Sequence, residues 1–143
     1  MIAPSGSSSV LVIEDHPFQR RALAHKLNSL GVPRVLEAAS GADALELVRA
    51  NGGSIALILS SLDVPEWDSL ERLHALAAVA PQIAVAALSA FDRAGLRRIA
   101  ARASASGLHL IGMLEKPVSD DALRAVLVRA LADAGGARMR SAG

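Results

Sequence analysis

Residues 55–65 read Ile-Ala-Leu-Ile-Leu-Ser-Ser-Leu-Asp-Val-Pro. The apolar run Ile55–Leu59 gives way to two serines, and an acidic turn closed by Val64-Pro65 follows. A short, nearly continuous apolar run predicts a strand buried on both faces, as in a parallel sheet. Similar runs occur at Val10–Ile13, Val35–Ala38, Ile83–Leu88 and Leu108–Leu114. Helix signals fill the gaps. Pro17 suits a first helical turn, and Gly31 closes that helix after Leu30. Ser40 caps a second helix, which ends at Asn51-Gly52-Gly53. Asp68 with Glu71 forms a capping-box pattern that opens a third, stopped by Pro81. Asp92 caps a fourth; Ser119, with Asp120 and Asp121, opens a fifth that should end before Gly135-Gly136. Five β-α units imply an α/β fold, an open, right-handed, doubly wound parallel sheet with helices on both faces.

Composition narrows the functional classes. A length of 143 residues suits one domain, and a hydrophobic content of 52% suits a packed core. A net charge of +1 gives no general attraction to nucleic acid or membrane, and direct contact of this domain with either is not expected. The chain has no cysteine, which excludes thiol catalysis and is compatible with a reducing cytoplasm. No apolar run approaches the roughly 20 residues that span a bilayer. The start, MIAPSGSSS, lacks the basic-then-apolar order of a signal peptide. A small soluble cytoplasmic protein is expected, with residues 1–8 disordered, a domain at 9–133, and 134–143 a linker or tail that could lead to an output domain.

Topology joins distant residues. Ligands of open parallel sheets bind beyond the carboxyl ends of the strands. Glu14 and Asp15 end the first predicted strand, Ser61 follows the third, Ser89 ends the fourth and Lys116 follows the fifth. Polar strand ends explain each residue singly, but Lys116 precedes a proline at this edge and Lys26 is the chain's other lysine. The set is expected to surround one shallow pocket with Ser61 central, whereas Ser60 is expected to point into the sheet.

These residues resemble the receiver domain of two-component response regulators over roughly residues 9–133. The resemblance implies a flavodoxin-like sheet of five parallel strands, order 2-1-3-4-5, with five helices, and a non-enzymatic signalling role. In that family an aspartate ending the third strand accepts a phosphoryl group; Val64-Pro65, standing where the family has a Met-Pro-like turn, places that position at Ser61. Glu14 and Asp15 match the acidic pair that helps hold Mg²⁺, Ser89 the switch hydroxyl, and Lys116 the phosphoryl-pairing lysine. Lys116-Pro117 is commonly cis in the family, and Met113 stands where the family has a switch aromatic.

Ser61 is not an equivalent of aspartate. A hydroxyl stays protonated at neutral pH and needs an adjacent base to become a nucleophile. Losing the carboxylate also removes an anionic metal ligand, so at most a weak Mg²⁺ site is expected, with Asp63 as an added ligand or a solvated turn acid. The segments VLVIEDHPFQRRAL and SGLHLIGMLEKPV are similar to receivers that precede EAL-type cyclic-di-GMP phosphodiesterase domains. Expected partners are therefore a protein or a fused output domain, and a histidine kinase; any dimer would use the fourth and fifth helices.

Competing motifs are weak. Neither a phosphate-binding Gly-x-x-x-x-Gly-Lys loop nor a Gly-x-Gly-x-x-Gly follows the first strand, and Ser61 lacks a hydrolase elbow. His16, His25, His74 and His109 show no metal-ligand spacing, and His16 reads as a helix-opening residue. Arg93, Arg97, Arg98 and Arg102 form a stripe on the fourth helix that reads as a solvated face, with a partner surface as the functional alternative. Two other readings stay open: a receiver phosphorylated on Asp63 or Ser61, and a flavodoxin-like enzyme or small-ligand binder. Against the latter, Phe18, Trp67 and Phe91 are the chain's aromatics, few for ring stacking.

Overall fold

Alternation of buried residues along the strands sorts the helices into two layers. The computed structural model describes residues 8–62, 66–90, 93–105 and 107–142. In chain order it runs β1 (Ser9–Ile13), α1 (Pro17–Ser29), β2 (Val35–Ala38), α2 (Gly41–Asn51), β3 (Ile55–Ser61), α3 (Glu66–Val79), β4 (Ala84–Ser89), α4 (Arg93–Ala105), β5 (Leu110–Glu115) and α5 (Asp120–Ala142). The strands are parallel and ordered β2-β1-β3-β4-β5. This is the doubly wound parallel sheet that the alternating pattern predicts, in the flavodoxin-like order that the sequence resemblance implies.

Side chains of successive strand residues face opposite sides. Leu11, Ile13, Ile58, Val85 and Ala87 meet Ala44 and Val48 of α2, Leu73 and Leu76 of α3, and Ile99 of α4. Val10, Val12, Leu57, Leu59 and Ala86 meet Leu27 of α1 and Leu123, Val126 and Leu127 of α5. Both faces of the sheet are thus covered. Burial of each such Leu or Ile contributes about 1.5–3 kcal/mol.

Local chemistry sets several helix ends. His16 caps α1, its Nδ1 accepting from Gln19 N at 3.4 Å, with Pro17 in the first turn. At the other end Gly31 has φ 100°, and Gly31 N and Val32 N donate to Asn28 O and Leu27 O, both at 3.1 Å. That pair of bonds closes a Schellman turn, and the buried Val32 packs in the same cluster as Leu27. Ser40 Oγ accepts from Asp43 N and Ser119 Oγ from Ala122 N, each at 3.1 Å, capping α2 and α5.

Two expected boundaries differ. α3 begins at Glu66, so Asp68 lies inside its first turn instead of capping it. α5 does not stop before Gly135-Gly136 but runs to Ala142. Each glycine costs a helix about 1 kcal/mol, yet no proline blocks it and Ala134, Ala137, Arg138, Met139 and Arg140 are good helix formers. Asp92, the expected cap of α4, lies outside the described residues. Ser8, expected in the disordered lead-in, is buried.

Ser60 is fully buried, and its Oγ has no hydrogen-bond partner among the described residues. Its place in β3 puts it on the side of Ile58 and Leu62, facing the α2–α4 layer. An unmade hydrogen bond on a buried hydroxyl costs about 1–3 kcal/mol. Ser60→Ala should therefore raise the urea midpoint by the equivalent of about 1 kcal/mol; a lower midpoint would show that the hydroxyl is bonded.

Candidate functional site

The parallel register brings four strand ends to one edge. Ile13 pairs with Ser60, Ser61 with Leu88, and Ser89 with Glu115. Glu14, Ser61 and Lys116 therefore emerge together, although 102 residues separate Glu14 from Lys116.

Lys116 is the hub of this edge. Its Nζ donates to Glu14 Oε1 at 2.9 Å, to Ser61 Oγ at 2.8 Å and to Gln19 Oε1 at 3.3 Å. Three acceptors match the three donors of an ammonium. The Glu14 and Lys116 side chains retain 9% and 19% of their exposure, so this ion pair is largely shielded from water. The second Glu14 oxygen, Oε2, accepts from His16 N at 3.4 Å, next to the start of α1. Arg20 Nη1 donates to the Glu14 carbonyl at 3.0 Å and steadies the end of β1. The backbone holds Lys116 as well: its N–H donates to Ser89 O at 3.0 Å, and the Lys116–Pro117 bond is cis, as the sequence resemblance implies.

A residue that the sequence did not single out completes the arrangement. Arg72, on α3, donates through Nη1 to Ser61 O at 2.8 Å and through Nη2 to Asp15 Oδ1 at 3.1 Å. Ser61 is thus held from both sides, by Lys116 at its hydroxyl and by Arg72 at its carbonyl. Sequence reading passed over Arg72 because a charged residue beside the buried Leu73 looks like the solvated flank of an amphipathic helix.

The remaining residues fall into place around this centre. Ser89 is fully buried at the end of β4, and Met113 is half-buried against the α2–α4 core. An open groove of about 480 Å³ runs along α1, lined by Glu14, Gln19, Leu23, Lys26, Lys116 and Pro117 among others, and Ser61 is not in its lining. Ser61 itself is only 6% exposed, because Lys116 lies on its hydroxyl. Asp63 lies outside the described residues. His16, His25 and His74 are exposed, and no cluster of His, Cys, Asp or Glu suited to a metal occurs among the described residues. Arg97, Arg98 and Arg102 are exposed on α4.

The ion pair at the hub has a measurable consequence. Removing one partner of a shielded pair leaves a charge without compensation and costs about 3–5 kcal/mol. Lys116→Met should lower stability in urea by about 3 kcal/mol, with Glu14→Gln added in the same chain restoring much of the loss. Additive effects of the two changes would show that the charges do not interact.

Comparison with known proteins identifies the family and the fold. Residues 10–128 match the family described as the response regulator receiver domain. The sensor kinase CckA of Brucella abortus is 34% identical over 116 residues, a stretch covering 80% of this chain but 12% of that protein. The solution structure of the Escherichia coli RcsC C-terminus, which contains a phosphoreceiver domain, superposes with a TM-score of 0.74 at 26% identity, covering 96% of this chain and 98% of that one. A response regulator/GGDEF domain protein shares the fold, with a TM-score of 0.73 at 24% identity over 90% of this chain and 50% of its own. The chain spans about an eighth of the curated kinases it matches. With a five-stranded sheet in order 2-1-3-4-5 and a family match over most of its length, the chain belongs to the response regulator receiver family of two-component signalling.

Proposed function

We propose that this receiver signals through protein contacts without aspartyl phosphorylation, because Ser61 occupies the position of the phosphoacceptor. The supporting observation is the 2.8 Å contact between Lys116 Nζ and Ser61 Oγ, at the end of β3. Phosphotransfer to a serine needs a base to take the hydroxyl proton. The group that bonds Ser61 Oγ here is an ammonium, which has no lone pair to accept one. On this reading Glu14 and Asp15 are the retained acidic pair and Ser89 the switch hydroxyl. Met113, in place of an aromatic, removes the usual rotamer readout. Receiver domains commonly bind Mg²⁺ at this edge; with a hydroxyl in place of a carboxylate, binding here is weak.

The output is a protein partner or a fused domain, with an EAL-type phosphodiesterase and a histidine kinase as the proposed associates. The surface of α4 and α5 is the proposed dimer or docking face, since Arg97, Arg98 and Arg102 are exposed there. A cytoplasmic location suits such partners. No helix among the described residues is long and apolar enough to cross a membrane.

Intact-mass analysis after incubation with acetyl phosphate or phosphoramidate and Mg²⁺ tests this reading. The wild-type protein should gain no phosphoryl mass, and Ser61→Asp should recover part of the labelling, since Glu14, Asp15, Ser89 and Lys116 are retained. Labelling of the wild type would overturn the proposal, an acid-stable adduct pointing to Ser61 and an alkali-labile one to Asp63.

A further inference from the structure

We infer that Arg72 takes the place of a divalent cation at this edge, so that the site is neutralised from within the chain and Mg²⁺ binding is weakened beyond the loss of the acceptor carboxylate. The inference deepens the reading of Ser61 as an altered acceptor position and adds a residue to which the sequence assigns no role.

The donor set does not fit a magnesium ion. Mg²⁺ is held by carboxylates, carbonyls and retained waters in near-octahedral geometry. Glu14 is bonded to Lys116, and Ser61 offers a hydroxyl that Lys116 also occupies. Among the described residues, the groups left for a cation are Asp15 and the Ser61 carbonyl, and the two arms of the Arg72 guanidinium lie on these, at 3.1 and 2.8 Å. The formal charges balance in pairs, Glu14 with Lys116 and Asp15 with Arg72. A dication added here would meet no uncompensated carboxylate among these groups.

Placement of Arg72 is what makes this more than a surface contact. An exposed ion pair by itself contributes little, and the Asp15 side chain is 49% exposed. The Arg72 side chain is 11% exposed, however, and is fixed at more than the carboxylate. One arm is bonded to the β3 backbone. Its stem passes the start of α2, where Arg72 Nε and Cγ come within 3.9 and 4.0 Å of the point where a Cβ on Gly41 would sit. A planar, forked donor held in this way directs separate arms at two acceptors in a geometry that the guanidinium plane fixes.

Magnesium titrations on the intact chain separate this inference from the reading of Ser61. Far-UV circular dichroism and urea unfolding establish that each variant folds. By calorimetry with MgCl₂, Arg72→Gln should bind Mg²⁺ about tenfold more tightly than wild type, and Ser61→Asp/Arg72→Gln about tenfold more tightly than Ser61→Asp. Equal affinities with and without Arg72 would overturn the inference. A second measurement needs no variant. Because a ligand of the native state raises stability in proportion to the logarithm of its concentration over Kd, about 10 mM Mg²⁺ should leave the wild-type urea midpoint unchanged. A rise in that midpoint would equally overturn it. Neither result bears on phosphoryl mass, which tests Ser61 alone.

Discussion

Lys116 lies where β1, β3 and β5 end, and its ammonium binds groups from the first two of these while its own backbone continues the third. Contacts with Glu14, Gln19 and Ser61 join segments that the chain keeps far apart. A point charge with three donors can do this only where a parallel sheet delivers all of its strand ends to one edge. The cost of placing Glu14 in a shielded position is offset by this ion pair and by the bond from His16 N, so the end of β1, the start of α1 and the turn into α5 are tied together here. Lys26 reinforces that turn from α1, donating to Val118 O at 2.8 Å and pairing with Asp120 at 3.2 Å.

The chemistry of the edge follows from how its charges are matched. Two acids and two bases sit close together, each acid with its own base, and Ser61 lies between them. An anionic site that lacks cations attracts metal and, through it, phosphoryl donors. A site already balanced by side chains has no comparable demand. On the proposed reading, a serine at the acceptor position and the guanidinium on α3 act in the same direction: one removes negative charge, and the other answers part of what remains.

Much of the fold was legible in local sequence. Ile55–Leu59 read as a buried strand because a strand covered on both faces has no polar side to show, and β3 extends that run by Ser60 and Ser61. Pro17, Gly31, Ser40 and Ser119 marked helix ends because each supplies a specific backbone geometry or acceptor. Errors arose where local signals compete with propagation. Gly135-Gly136 disfavours a helix by a modest amount, and the residues around it outweigh that penalty.

The site was legible only in part, and the division has a physical cause. The parallel strands and the residues at their ends follow from pattern, and strand order from the resemblance, so Glu14, Asp15, Ser61, Ser89 and Lys116 could be placed at one edge from sequence and resemblance alone. Which groups touch there depends on side-chain reach across elements, to which periodicity is blind. Sequence could not show that the groove would form along α1 or that Ser61 would lie beneath an ammonium. Nor could it distinguish Arg72 from its neighbours Glu71 and His74, since helical spacing gives a residue's angle but not what the facing layer offers. Sequence by itself determined the layers and the chemistry available at their edge; tertiary packing decided which charge meets which, because ion pairs form across distances that the chain closes only when it folds.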